Sequence, residues 1–339
     1  MDKHILPTGY LLVDDYEKGK LETLSIGDYG KSKNIKADFL GFTRDLNGVE
    51  NGDCMPLSEK WVITVSTQYG CAMKCTFCDV PNIKFAGNVS FADLKKQFYT
   101  ALAAFPTAKY TDRLNLHFAR MGDPIFNTDV LLFSEWLAYN KYQIQIETGV
   151  RMEVIHPVFT TMVPDMKYTE ERLLRWVYLK NMTFNGQAGL QLSINSTCED
   201  QRTEMFGGKQ MHLEKISEIC QKFPAPIGRK YCINIAYSTD FIVDADKLAN
   251  LFDTNYFMVK ITPIHNNNAC TDNNISTVEG YESYAPYKPV EESLKAAGFD
   301  VLVFIPSFDE EDGIVTCGNA ILGGSTIKSN VDTVKIVGQ

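Results

Sequence analysis

The sequence has no apolar run of the roughly 18 to 20 residues that a membrane span requires, and its opening, MDKHILPTGYLLVDD, lacks the basic, apolar and small-residue succession of a secretory signal. The expected address is the cytoplasm, with no membrane partner. No internal repeat, low-complexity tract or linker rich in Pro, Gly or Ser marks a boundary. Positive charge is also in short supply. With 33 Lys and Arg against 42 Asp and Glu, the net charge is -9, which argues against a large nucleic-acid surface, because phosphate contacts draw on clustered Lys and Arg. Two basic clusters stand out locally, GKSKNIK from Gly30 to Lys36 and PIGRK from Pro226 to Lys230, and each reads first as a solvated loop. The nine cysteines are odd in number and irregularly spread apart from one cluster, which argues against a disulfide framework and for reduced thiols or metal ligation.

What is present is a core-forming chain of 339 residues, 45% of them hydrophobic. Before Trp61 it reads as short strands and turns: GYLLVDDY, KLETLSI and KADFLGF, separated by EKGK and GDYGKSK. Residues 1–60 are thus expected to form a small antiparallel β extension, and residues 61–339 the main domain. From Trp61 onward strands alternate with amphipathic helices. WVITVST, RLNLHFAR, EVIHPVFTTMV, AGLQLSIN, YCINIAYST, YFMVKITPI and DVLVFIPS are the strands; SFADLKKQFYTALAAF, DVLLFSEWLAYN, TEERLLRWVYLK, MHLEKISEICQKF, DADKLANLF and YKPVEESLKAAG are the helices. About six β/α units imply an α/β fold with a parallel sheet, either a partial barrel or an open doubly wound sheet, and in both ligands sit at the C-terminal ends of the strands.

Cys71, Cys75 and Cys78 follow the first of these strands in STQYGCAMKCTFC, a C-x3-C-x2-C spacing. Three thiolates can hold three irons of a 4Fe-4S cluster and leave the fourth iron open to a small bidentate ligand. A structural zinc site is usually built from two separated ligand pairs, and the chain has no second CxxC or HxxxH. A thioredoxin-like redox pair, Cys75 with Cys78, fits formally, but not the third cysteine or the aromatic Phe77.

This spacing, with Phe77 before the last cysteine, resembles the signature of radical S-adenosylmethionine enzymes. Further blocks are similar to the RlmN/Cfr family, which methylates an adenosine carbon in RNA: VSTQYGCAMKCTFC, MGDPIFN from Met121 to Asn127, LQLSINSTCEDQR, MVKITPIHNNN, and DGIVTCGNA near the end. The resemblance runs from about Val62 to Ala320. It implies a partial (βα)6 barrel holding a 4Fe-4S cluster on Cys71, Cys75 and Cys78, with S-adenosyl-L-methionine as second cofactor and a flavodoxin or ferredoxin as electron donor. It further implies that Gly122 and Asp123 meet the methionyl amino group, that Ser193 and Asn195 contact the cofactor, and that Asn266, or His265, meets its ribose. Read without the resemblance, these polar residues are ordinary strand-end hydrogen bonders. Cys317 would correspond to the family's methyl-accepting cysteine; its Gly-flanked surroundings read as a mobile segment, whereas Cys198, Cys220, Cys232 and Cys270 read as small buried hydrophobes.

Two departures accompany the resemblance. Thr64 stands where the family has a second cysteine, seven residues before the first cluster cysteine, and a hydroxyl cannot replace a thiolate in disulfide chemistry. Cys54 is the nearest substitute in sequence. The family's helical RNA-binding domain also has no counterpart in the 60 residues before Trp61. A nucleotide, small molecule or peptide, acted on directly by a deoxyadenosyl radical, is therefore the alternative to an adenine in RNA.

Overall fold

Along Arg113–Phe118 polar and apolar residues alternate one for one, and an extended chain with that period has two unlike faces. The computed structural model describes residues 1–46, 54–277, 283–329 and 331–338, and places this stretch in the strand Tyr110–Phe118. Leu114, Leu116 and Phe118 are fully buried, while Arg113, Asn115 and His117 on the other face stay partly exposed. Parallel strands covered on both faces read as continuous apolar runs. Alternation here means that one face borders a polar hollow.

The strands are β1 (Asp2–Leu6), β2 (Gly9–Tyr16), β3 (Gly19–Ile26), β4 (Ile35–Lys36), β5 (Trp61–Val65), β6 (Gln68–Tyr69), β7 (Gly87–Asn88), β8 (Tyr110–Phe118), β9 (Arg151–Thr161), β10 (Gly189–Ser193), β11 (Tyr231–Tyr237), β12 (Phe257–Pro263) and β13 (Asp300–Phe304). All but β6 and β7 form one sheet, in the order β1-β2-β3-β5-β8-β9-β10-β11-β12-β13-β4. From β5 to β13 its neighbours are parallel, and helices make each crossover, so the expected α/β partial barrel is present. The helix Phe91–Ala103 shows the local logic. Ser90 accepts a hydrogen bond from the Asp93 amide as N-cap, and Leu94, Phe98, Ala101 and Leu102, spaced on one stripe, are buried against the sheet. Phe118, Phe133, Phe159 and Trp176 make the aromatic centre of that outer core, with ring centroids 4.8 to 6.2 Å apart along the chain of contacts. On the inner face a separate small cluster of Ala37, Cys232, Met258 and Leu302 fills the β11–β13 end.

The N-terminal strands are continuous with this sheet. β3 pairs antiparallel with β5, Leu24 opposite Thr64 and Ile26 opposite Val62, while β4 pairs antiparallel with β13 at the other edge. The connector of residues 27–34 therefore runs from one edge of the barrel, where β5 begins, to the other, beside the last residues of β13. It is tied there by Lys60 to Asp28 at 2.6 Å, Ile305 N to Asn34 O at 3.0 Å and Tyr29 to Asp309 at 2.9 Å. KADFLGF, expected as a third strand, instead supplies only Lys36 to the two-residue β4 edge and continues into a 3-10 turn at Asp38–Leu40. The strand Asp2–Leu6 and the helices Lys141–Thr148 and Glu199–Met205 escape the sequence reading. Lys141–Thr148 is mostly polar and has no side-chain cap, so it carries neither signal on which a helix assignment depends. No helix among the described residues is long and apolar enough to cross a membrane.

One buried ion pair joins three parts of the chain. Arg120, just past β8, donates to Glu22 of β3 from Nε at 2.9 Å and Nη2 at 2.5 Å, and from Nη1 to the carbonyl of Ile314 at 2.8 Å; Glu22 also accepts from the Leu322 amide at 2.7 Å. Removing one partner of a buried pair leaves the other charge unsatisfied. Glu22→Ala is expected to cost about 3–5 kcal/mol, read from the shift in urea midpoint; a loss below about 1 kcal/mol would show that Arg120 finds solvent or another acceptor.

Candidate functional site

β5 ends at Val65, and the chain leaves it through Ser66, whose amide and carbonyl are both held by the Gln97 side chain, at 2.8 and 3.0 Å. The two-residue ladder of β6 and β7, Gln68 opposite Asn88 and Tyr69 opposite Gly87, then closes the segment between them into a loop, and that loop carries Cys71, Cys75 and Cys78. Gly70 makes the turn at φ +74, where an added Cβ would stand 2.9 Å from the Ile83 carbonyl.

Burial pushes all three thiols up. Cys71 rises to about 12, with a further contribution from Asp123; Cys75 is raised by burial and then by Cys78 and Cys71, and Cys78 by burial and then by Cys71. Each thiolate would thus repel the others, and three mutually repelling thiols, Cys75 buried and Cys71 and Cys78 partly so, are suited to a bound cation. They are not gathered as around a single ion. Around one zinc the sulfurs would be about 3.8 Å apart, from the ~2.3 Å bond in a tetrahedron. Among the described residues the only triad of potential ligand atoms within 4.8 Å is Glu199, His212 and Glu214, on the surface. Three thiols in an apolar shell are the donor set that an iron-sulfur cluster takes. An apolar shell of Met73, Phe77, Met205, Phe206, Ile264 and Cys270 surrounds the loop, with Phe77 edge-on to Phe206 at 6.0 Å.

Gly122 and Asp123 follow β8 at the same end of the sheet. At φ +88 Gly122 lies so close to Gln68 that a Cβ would fall 2.4 Å from its Cγ. Gln68 in turn accepts from the Ala72 amide at 3.1 Å and donates to Asn88 at 2.8 Å, so the glycine lets the β8 turn sit directly on the cysteine loop. Asp123 is 4% exposed and accepts from the Ile125 amide, the Thr161 hydroxyl and the Met162 amide at 2.9, 2.9 and 2.7 Å. Burial raises its carboxyl to about 6, and these three bonds oppose the rise. A carboxylate has about four acceptor positions, so one remains for a further donor.

Ser193 closes β10, 2% exposed. Asn195 is left-handed at φ 62, accepting from the Ala236 amide at 3.0 Å and contacting Met205 Sδ at 3.5 Å. Asn266 is exposed on the loop after β12, and His265 beside it contacts Glu311 at 2.8 Å. The residue there that ties the site together is Asn267, which the sequence reading passed over: it donates to the carbonyls of Phe77 at 3.0 Å and Gly318 at 3.2 Å. Its sequence signal is modest, an Asn capping the short helix Asn268–Asp272.

Cys317 is exposed, with its thiol 3.5 Å from the Ala119 carbonyl, and its charge raises Cys78. Surrounding protein raises the Cys317 thiol as well, opposed by Lys260 and Arg120. Its segment, expected to be mobile, is tied on both sides. Arg120 holds Ile314, the Asp79 amide and Asn267 both bond Gly318 O, and the Asp79 side chain takes the Ser325 hydroxyl and the Ala269 amide. Gly323 packs so closely on Asp79 that a Cβ would meet its carbonyl at 2.4 Å. Thr64 lies in β5 opposite His117, and Cys54 lies elsewhere: fully buried beside Ile336, facing Tyr29 and Glu310, with its thiol pushed up to about 12 by burial.

Gly122→Ala is expected to cost about 1–2 kcal/mol for the left-handed backbone alone, and to lower the iron bound per chain after anaerobic reconstitution, because Gln68 must leave Ala72. Unchanged iron content would separate the turn from the thiol loop.

No protein-family model matches this chain. It is 24% identical over 228 residues to the dual-specificity RNA methyltransferase RlmN of Geobacter sulfurreducens, covering 64% of this chain and 55% of that protein. To the RlmN of Pseudomonas fluorescens it is 23% identical over 305 residues, covering 86% and 72%. The chain thus spans little more than half the length of the Geobacter relative, and 58% of the probable RlmN of Pseudothermotoga lettingae. A solved radical SAM methyltransferase from Sphaerobacter thermophilus superposes with a TM-score of 0.62 at 17% identity over 94% of this chain and 79% of that one, so the two share a fold.

Proposed function

We propose, from the premise that this chain is a distant relative of the RlmN methyltransferases with a radical SAM fold, that it is a radical S-adenosylmethionine enzyme methylating an sp2 carbon, adenine in RNA being the relatives' precedent, by way of Cys317. The observation that carries this reading is the tethering of Cys317 beside the cluster loop, through Asp79, the residue after Cys78, and through Asn267. Cys71, Cys75 and Cys78 would hold a 4Fe-4S cluster; Gly122, Asp123, Ser193, Asn195 and Asn266, all at or just past the C-terminal ends of strands, would form the surroundings of S-adenosylmethionine. When bound, the cluster and that cofactor supply a methyl donor and a hydrogen-abstracting radical. The chain's part is to place and shield them. Asp123 offers its remaining acceptor position to the methionyl ammonium, the Phe77–Phe206 shell excludes water, and Lys260 and Arg120 favour the thiolate of Cys317 that would take the methyl group. A flavodoxin or ferredoxin is the class of electron donor such a cluster needs.

Thr64 supports a second reading, in which the radical acts on substrate directly. Its hydroxyl occupies the place of a resolving thiol, and Cys54, the nearest substitute in sequence, is fully buried, with its thiol pushed up to about 12.

Mass spectrometry of the Cys317 peptide, from protein purified anaerobically, separates the two. One added methyl, and loss of methyl transfer in Cys317→Ala, is the expected result; an unmodified cysteine in protein that cleaves S-adenosylmethionine would establish the second reading instead. The Asp123 carboxyl also sets a pH dependence. Because its pKa of about 6 lies above the ordinary value, it is protonated as pH falls through 6, and the cofactor's dissociation constant is expected to rise by up to about tenfold per pH unit below that point. Equilibrium dialysis at pH 5 and 7 checks this, and equal affinities would remove Asp123 from the ammonium site.

A further inference from the structure

The cysteine loop has two flanks, and they differ in charge. The flank from Phe77 to Asp79 meets the Cys317 segment: Asn267 bonds the Phe77 carbonyl at 3.0 Å, and the Asp79 amide bonds Gly318 O at 2.8 Å. The other flank, from Gly70 to Lys74, is bordered by lysines. Lys74 is itself exposed, its Cβ 2.9 Å from where a Cβ on Gly207 would stand. Lys209, two residues past Gly207, donates to the Ala72 carbonyl. The carbonyl oxygen of Lys84 and the Cα of Phe85 each lie 3.1 Å from the Cβ position of Gly70, the residue before Cys71, and both residues are exposed. Lys18, in the turn between β2 and β3, brings its Nζ to 3.9 Å from the Cβ position of Gly87, in the ladder that closes the loop.

These charges have no partners of their own. Among the described residues no carboxylate oxygen lies within 4.0 Å of Lys18, Lys74, Lys84 or Lys209. Asp165, whose amide bonds the Lys209 carbonyl at 2.9 Å, is paired instead with Lys215 at 2.6 Å. Glu17 and Glu204 border the patch, two exposed acids against four cations. In a chain of net charge -9 this is a local excess, and it stands over the thiols: Cys71 keeps exposed surface.

We propose that this lysine flank is the docking surface for an acidic flavodoxin, which delivers the electron that the cluster needs. The assignment rests on the radical reading of Cys71, Cys75 and Cys78, and gives that reading's electron donor its place on the molecule. Three constraints select the occupant. Electron transfer weakens steeply with distance, so a donor must dock over the thiol loop. A partner rich in carboxylates is repelled by the acidic surface of the chain and steered to its cationic exception. Phe85, 47% exposed beside Lys84, supplies an aromatic anchor for a small, transient interface, and its ring suits the exposed ring edge of a flavin. A nucleic acid is the poorer match, because its reacting base must reach Cys317, which borders the other flank. In the complex the reduced flavin loses one electron, the iron-sulfur cluster gains it, and no atom is exchanged.

Isothermal titration of the cluster-loaded full chain with a purified, oxidised flavodoxin tests this. One-to-one binding is expected, weakening as salt rises from about 0.05 to about 0.3 M. In the double variant Lys74→Glu, Lys84→Glu it is expected to weaken about tenfold or more. Lys109→Glu, an exposed charge where β8 begins, is expected to bind as the parent does. Lys74→Gln with Lys84→Gln keeps the test open if charge reversal disturbs the fold, and iron bound per chain reports an intact loop. Equal affinity in a folded double variant, absence of binding, or binding indifferent to salt would overturn the proposal. So would an oligoadenylate that binds more tightly than flavodoxin and displaces it, which would make the flank a nucleic-acid track. Cleavage of S-adenosylmethionine driven by dithionite, which needs no docking, keeps the two ideas apart. The double variant is expected to retain it and to lose cleavage driven by reduced flavodoxin. Flavodoxin binding that is lost in the variant, in a parent protein that cleaves nothing with dithionite, sinks the radical reading and leaves the docking surface standing.

Discussion

The pairing of Glu22 with Arg120 is the contact on which the rest of the molecule depends. Both side chains are out of water, so neither charge tolerates the loss of the other. Their remaining hydrogen-bonding capacity is filled by the backbone on either side of Cys317, at Ile314 and at Leu322. A strand of the N-terminal meander, the strand that delivers Asp123 and the C-terminal segment are thereby fixed to one another. The thiol of Cys317 is placed by an ion pair to which it does not belong.

The thiol loop obeys a similar economy. Its backbone is positioned by Gln97, Gln68 and Gly122, and its far flank by Asp79 and Asn267, which hold it against the Cys317 segment. With its shape set by these neighbours, the loop does not depend on the cysteine thiols for its fold. Their raised thiol pKa values follow from the same packing, since the apolar shell that keeps the site dry also makes bare thiolate charge expensive.

The parts of this arrangement that the sequence discloses are those written over short distances. Three cysteines in eight residues, an Asp after a Gly at a strand end, and period-two or helical spacing can each be read locally, and the parallel α/β barrel follows from their succession. Partnerships across the chain leave no such mark. Arg120 and Glu22 are 98 residues apart and Asp79 and Ser325 are 246 apart, so nothing near either member announces the other. Asn266 and Asn267 are adjacent and chemically identical; only the turn of the chain decides which one faces the cysteine loop. KADFLGF has the composition of a strand, but of its residues only Lys36 has a partner on the edge strand β13.

The connector of residues 27–34 carries a consequence for how the molecule is made. It joins β3, beside the first parallel strand, to β4, whose partner β13 begins 264 residues after β4 ends, at Asp300. A contact of that sequence separation forms late, because a very long loop must close before it is rewarded. On the ribosome, β4 and the connector emerge well before β13, the strand against which β4 pairs, and find their place only after it. Assembly of the barrel is therefore gated by synthesis of β13, and the cysteine loop meets its far wall, from Asn267 to Ser325, only once those residues have been made.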